Sequence, residues 1–167
     1  MSSPIYFQAI RIFEDNGKFE QRIVERSTEE LPEGEVLIQV HYSSLNYKDA
    51  LSSSGNRGVT RNYPHTPGID ASGIVAASTN PDFKAEDRVV VTSYDLGMSI
   101  DGGFGEYIRV PAKWVLPLPE GLSLQETMIY GTAGFTAAQS FWELKVAGCK
   151  PNNGPVLVTG AAGGVGS

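Results

Sequence analysis

Along the first two-thirds of the chain, hydrophobic and polar positions exchange over distances too short for helices. Residues 5–13 and 19–24 are apolar-rich runs on either side of Asp15-Asn16-Gly17, whose asparagine and glycine accept the left-handed backbone that a tight hairpin needs. Residues 35–42 alternate, with Val36, Ile38 and Val40 on one side and Leu37 and Gln39 on the other, the period-two pattern of a strand. Residues 73–77, 88–92, 106–110 and 114–118 are further short apolar runs, divided by Pro, Gly, Asn and Asp. Many short strands with frequent turns predict an irregular all-β barrel or sandwich.

From Ser123 the pattern lengthens. Ser123-Leu-Gln-Glu126 has capping-box spacing, in which each side chain satisfies the other's backbone N–H at a helix start. A helical stretch is predicted over 132–146, where Phe135, Ala138, Trp142 and Val146 share one face and read as core; Gly148 follows as a stop. Residues 155–159 are a compact apolar run without alternation, which predicts a strand buried on both faces of a parallel sheet. It leads into Gly160-Ala-Ala-Gly-Gly-Val-Gly166. Set against G-x-G-x-x-G, the match is Ala161-Ala162-Gly163-Gly164-Val165-Gly166, with alanine in the first glycine position. Small residues let a backbone approach a pyrophosphate, and a following helix would present its positive end to it. A simple packing turn is the plainer alternative; the strand before it favours a dinucleotide loop. The residue that reads the cofactor's ribose falls about 20 positions further on. The chain is therefore expected to stop inside a longer protein.

Composition narrows the function without changing this picture. Apolar content of 41% and charged content of 19% fit a packed protein. The net charge of −6 argues against a nucleic-acid partner, since a phosphate-binding surface needs excess Lys and Arg. A small anionic ligand needs only a local basic cluster. Cys149 is the single cysteine, which excludes intrachain disulfides and multi-thiolate metal sites. The opening residues lack a basic stretch followed by an apolar run, and nothing approaches a membrane span. No membrane partner and a cytoplasmic location are expected.

Joined to the glycine loop, Ser43-Ser-Leu-Asn-Tyr-Lys-Asp49, Tyr63-Pro-His-Thr-Pro-Gly-Ile-Asp70 and Gly131-Thr-Ala-Gly-Phe-Thr136 resemble the medium-chain dehydrogenase/reductase superfamily. Within it, Asn46-Tyr-Lys-Asp-Ala-Leu51, Gly55-Asn-Arg-Gly58 and Pro67-Gly-Ile-Asp70 resemble the YhdH/YhfP quinone-oxidoreductase branch, which includes NADPH-dependent acryloyl-CoA reductases. The resemblance implies a mainly β GroES-like catalytic domain, an irregular barrel, over residues 1–125. A connecting helical segment over 126–150 would follow, then the first strand and glycine loop of a truncated Rossmann α/β domain over 151–167. It implies NADP as cofactor and a small-molecule substrate, either an enoyl-CoA such as acryloyl-CoA or a quinone, with the whole protein a homodimer. The chain as it stands is expected to be inactive. A non-catalytic binding protein on the same scaffold is the alternative.

The same resemblance frames an absence. Zinc alcohol dehydrogenases of the superfamily carry Cys and His where this sequence has Asn46 and Tyr47, and His where it has Ile69; the four-cysteine structural lobe is missing too. His41, His65 and Cys149 show no ligand spacing, so no metal is expected. Reduction of a conjugated carbonyl or quinone becomes better chemistry than alcohol oxidation.

Individual residues carry two readings each. Asn46 and Asp49 have capping-box spacing and could simply start a helix through Leu51. Tyr47 has no capping role, and the resemblance puts its phenol beside the nicotinamide, so Tyr47 and Asn46 are the candidate catalytic residues. Tyr47, Thr132, Ala162, Gly163, Gly164, Val165 and Gly166 are the candidate cofactor contacts. Thr132 could equally bond its own backbone. Arg57 and Arg61, with Lys48, are either a solvated loop or a site for the phosphates of a CoA thioester, and so are the candidate substrate-binding residues. His41 and His65 read as structural, and Gly102-Gly103 with Gly105 as a loop between strands.

Overall fold

The computed structural model describes residues 4–167. In chain order it holds β1 (Tyr6–Asp15), β2 (Lys18–Ser27), β3 (Val36–Tyr42), α1 (Tyr47–Ser53), β4 (Asp70–Ser78), β5 (Arg88–Thr92), β6 (Tyr107–Val110), β7 (Leu116–Pro117) and α2 (Leu124–Val146). Asn16 and Gly17 both take positive φ, 50° and 77°, and turn the chain so that Asp15 pairs with Lys18 and Tyr6 with Ser27 along an antiparallel hairpin. The other five strands form one antiparallel sheet in the order β6-β3-β4-β5-β7.

Alternation in β3 serves two cores. Val36 and Ile38 join Val75, Val89, Val91, Ile108 and Val110 in the main apolar cluster, closed by Leu96, Trp114 and Val115. Leu37, on the opposite face, packs with Phe7, Ala9 and Leu31 beneath the hairpin. Each such side chain removed from water contributes roughly 1.5–3 kcal/mol before the entropy of ordering it is counted. Backbone bridges Ala9 to Gly105 and Ile12 to His65 stitch the hairpin to the sheet.

Three expectations change. The run at 114–118 yields only a two-residue strand: Trp114 lies in a 3-10 turn, and Pro117 has no N–H to extend the ladder. The run at 155–159 forms no strand, and Leu157 is 88% exposed. A parallel strand needs hydrogen-bonding neighbours, and among the described residues none pairs with it. The face of Phe135, Trp142 and Val146 is exposed rather than core, Trp142 by 60%, because α2 packs on β3, β4 and β5 and, among the described residues, no element covers that face. The helix start holds: Ser123 Oγ accepts the Glu126 N–H while Glu126 Oε2 accepts the Ser123 N–H.

Candidate functional site

Asp70 opens β4 between the buried apolar residues Ile69 and Ala71 and is itself fully buried. A carboxyl group there must replace its water with other donors. Its Oδ2 accepts from Ser44 Oγ, from Asn46 Nδ2 at 2.9 Å and from the Thr132 backbone N–H at 2.9 Å. Its Oδ1 accepts from Thr132 Oγ1 at 2.6 Å, which in turn lies 2.9 Å from Ser93 Oγ. The Asp70 carbonyl accepts from Ser43 Oγ at 2.6 Å. One acid thus gathers the loop before α1, the end of β5 and the middle of α2.

The local backbone makes room for this. α2 breaks at Gly131, with φ 49° and ψ −155°, which turns the Thr132 N–H onto the acid. A Cβ at Gly131 would stand 2.7 Å from Asp70 Oδ2 and 2.8 Å from Ser44 Oγ, so only glycine fits both the conformation and the space.

A second buried acid fixes α1. Asp49 Oδ2 accepts the Asn46 N–H at 2.7 Å, the acidic half of the expected capping box, and Oδ1 accepts from Gly68 N and Ile69 N at 3.1 and 3.0 Å. Burial pushes the Asp49 carboxyl above its ordinary range against the pull of these N–H groups, and Asp70 adds to the rise. Asn46 is therefore held twice, by its main chain to Asp49 and by its amide to Asp70. Its Nδ2 also reaches Ser44 Oγ at 3.2 Å, so the amide is shared between two acceptors that are themselves hydrogen-bonded to each other. Tyr47, the first residue of the helix it anchors, is 80% exposed.

The glycine loop lies at the same place. Gly163 N–H donates to Gly160 O at 2.8 Å and Gly166 N–H to Gly163 O at 3.1 Å, folding the loop on itself. A Cβ on Gly164 would meet that of Ala133 at 3.7 Å, in ordinary contact, so the loop sits against the first turn after the α2 break. Ala162, Gly163, Gly164 and Val165 face solvent, and Gly166 is half-buried. Thr132, Asn46 and the loop are thus brought together.

The arginines are not. Arg57 donates to Glu14 and, at 2.5 Å, to the carbonyl of Arg61, with its guanidinium over the rings of Phe19 and Tyr63. It clamps its loop to the hairpin, while the Arg61 side chain faces solvent. His65 is buried with Nδ1 3.5 Å from Asp101, and burial lowers its pKa; its place is structural, as expected. His41 is exposed on β3. Asp70 ends the Tyr63–Asp70 motif with no role legible from its neighbours, and Ser44 and Ser93 carry no pattern that marks them as its partners. The available signal was an acid embedded in an apolar strand start, which needs partners wherever it is buried.

The alcohol dehydrogenase GroES-like domain family matches residues 32–120. A protein of Bacillus subtilis named as a quinone oxidoreductase, YhfP, is 49% identical over 96% of this chain and 48% of its own length; its structure with NAD bound aligns with a TM-score of 0.93 over 97% of this chain and 49% of that one. The acrylyl-CoA reductase AcuI of Ruegeria pomeroyi is 46% identical over 92% of this chain and 47% of its own. The yhdH oxidoreductase of Salmonella enterica, solved in complex with NADP, is 44% identical with a TM-score of 0.93, covering 95% of this chain and 49% of that chain. The chain spans about half the length of the curated relatives it matches.

Proposed function

This chain belongs to the alcohol dehydrogenase GroES-like domain family, in its YhdH/YhfP branch, and from that premise we propose that it forms the substrate side of an NADPH-dependent reductase. The reaction is reduction of an activated double bond in an enoyl thioester of the acrylyl-CoA kind, with quinones as a second substrate class. The observation that carries this is the Asp70 network, which joins Asn46, next to the exposed Tyr47, to Thr132, next to the glycine loop. Residues 151–167 open the cofactor-binding unit in this reading. Their small, solvent-facing turn beside Thr132 fits a pyrophosphate that needs close backbone approach.

NADPH, when bound, supplies the hydride. Tyr47 offers its hydroxyl to the substrate carbonyl oxygen, where negative charge develops as the β-carbon is reduced, and water returns the proton to the α-carbon. Asn46 and Asp49 hold the first turn of α1 so that the phenol is aimed before substrate arrives. The donor set suits this reaction without zinc: the Asn46 amide is engaged, Tyr47 is a phenol and Ile69 is a buried hydrocarbon. Among the described residues, no three His, Cys, Asp or Glu stand together for a metal. Arg61 and Lys48, both solvent-facing, are the basic groups offered to a CoA phosphate, with Arg57 holding the loop of Arg61.

The test is Tyr47→Phe in the whole protein, assayed with NADPH and acrylyl-CoA. Turnover should fall about 10²- to 10³-fold, with Tm unchanged because the ring is exposed and only a hydroxyl is lost. Unaltered constants for both substrates would remove Tyr47 from the mechanism. Arg61→Ala should raise KM for the thioester and leave that for a neutral quinone as it was, since an ion pair to phosphate acts alike in ground and transition states. Equal losses on both would make Arg61 structural.

A further inference from the structure

Thr132 Oγ1 carries one hydrogen, and it lies on Asp70 Oδ1 at 2.6 Å. The 2.9 Å contact between Thr132 Oγ1 and Ser93 Oγ can then run only one way, with Ser93 donating. A hydroxyl that has given its single hydrogen inward offers only lone pairs outward. Ser93 is half-buried, so the residue is not closed off from solvent. The buried acid therefore sets, through Thr132, the polarity of a hydroxyl two hydrogen bonds away.

The backbone holds Ser93 in this place against its own preference. Ser93 and Tyr94 both lie in the left-handed region, at φ 65° and 53°, which residues with a Cβ avoid. The segment is pinned by the Ser93 N–H on the Ile69 carbonyl at 3.0 Å and by the Tyr94 ring stacked on Trp114, centroids 5.2 Å apart. Glycine would take this conformation freely, so a strained serine points to its hydroxyl. Position agrees: Ser93 touches Thr132, and the glycine loop touches Ala133, the next residue. A ligand with phosphates on the loop would reach Ser93 with its other half.

Resting on the functional reading above, we infer that Ser93 binds the nicotinamide nucleotide, accepting a hydrogen bond from a donor group on it. Asp70 is the positioning residue that keeps Ser93 an acceptor. Asp70→Asn separates this from a plain packing role. Asparagine must set its carbonyl where three donors converge, because the Asn46 amide and the Thr132 N–H cannot turn round. Its NH₂ then faces Thr132 Oγ1, the Thr132 hydrogen swings to Ser93, and the Ser93 hydrogen swings outward. Every contact survives, but the acceptor has become a donor.

NADPH affinity by fluorescence titration, and Tm, should be measured on the whole protein as wild type, Ser93→Ala, Ser93→Gly, Asp70→Asn and the Asp70→Asn/Ser93→Gly double variant. Each serine variant should raise Kd about 3- to 10-fold, the value of one net hydrogen bond. Ser93→Gly should do so with Tm at or above wild type, which separates lost binding from lost folding. Asp70→Asn should raise Kd by a similar factor and add nothing on top of Ser93→Gly. Wild-type Kd in both serine variants overturns the assignment of Ser93. Additive losses in the double variant overturn the role of Asp70. A wild-type protein that binds no NADPH overturns the functional reading and this inference with it.

Discussion

Asp101 and Asp70 are both enclosed acids, yet they are held in opposite ways. Asp101 lies between the guanidinium groups of Arg11 at 3.1 Å and Arg26 at 2.5 Å, and takes the Thr66 N–H at 2.9 Å. Those partners come from β1, β2 and the loop before β4, so charge welds the hairpin to the sheet. Burial alone would raise the Asp101 carboxyl, but the two guanidiniums hold it below the ordinary range. The partners of Asp70 are neutral: two hydroxyls, one side-chain amide and one backbone N–H. Attraction between charges falls slowly with distance and little with angle, whereas hydrogen bonds weaken steeply off axis. One acid anchors; the other aims.

Removing the anchor should have the largest effect. Asp101→Ala leaves Arg11 and Arg26 facing each other, Arg26 in a buried position, and should cost about 3 kcal/mol in chemical denaturation. NADPH affinity of the whole protein, where it remains folded, should hold. A loss well under about 1 kcal/mol would place this trio among solvated surface pairs and erase the contrast.

Gly131→Ala attacks the aiming side. The new methyl would press on Asp70 Oδ2 at a positive φ, with an expected stability cost of about 1–3 kcal/mol. NADPH affinity should drop about tenfold or more. A stable variant with wild-type affinity would mean that the network holds the fold and aims nothing.

The smallest effect is on the acid limb of stability. Burial keeps the His65 pKa below its ordinary 6.5, and the arginines keep Asp101 below 3.8. In both cases the unfolded chain takes up protons first as pH falls, so stability is lost below about 6.5 and again below 3.8. Asp49, raised above 3.8 by burial, works the other way and is relieved on acidification. Thermal melts across this range should show Tm falling, with Asp101→Asn flattening only the lower portion. A Tm that climbs steadily toward acid would contradict both assignments.

What the sequence disclosed follows distance along the chain. The Asn16-Gly17 turn, the alternation of β3 and the Ser123 cap are local, and each is where its residues predict. The partners of Asp70 lie 26, 24 and 62 positions away, which no periodicity can report. Arg57 was legible as a charge near Arg61, but its partner Glu14 is 43 positions distant. The faces of 135–146 and 155–159 teach a different point. Pattern tells which side chains want burial, and burial also needs a surface to meet.

That uncovered surface has a consequence for the behaviour of the chain in solution. Phe141, Leu144, Pro151 and Val156 line a trough of about 600 Å³, and Leu157 and Val158 stand beside it with exposed, unpaired main chain. Contiguous apolar area next to a strand-prone segment is what chaperones grip and what makes neighbouring molecules adhere. Residues 141–158 are therefore the stretch of this chain where self-association would start.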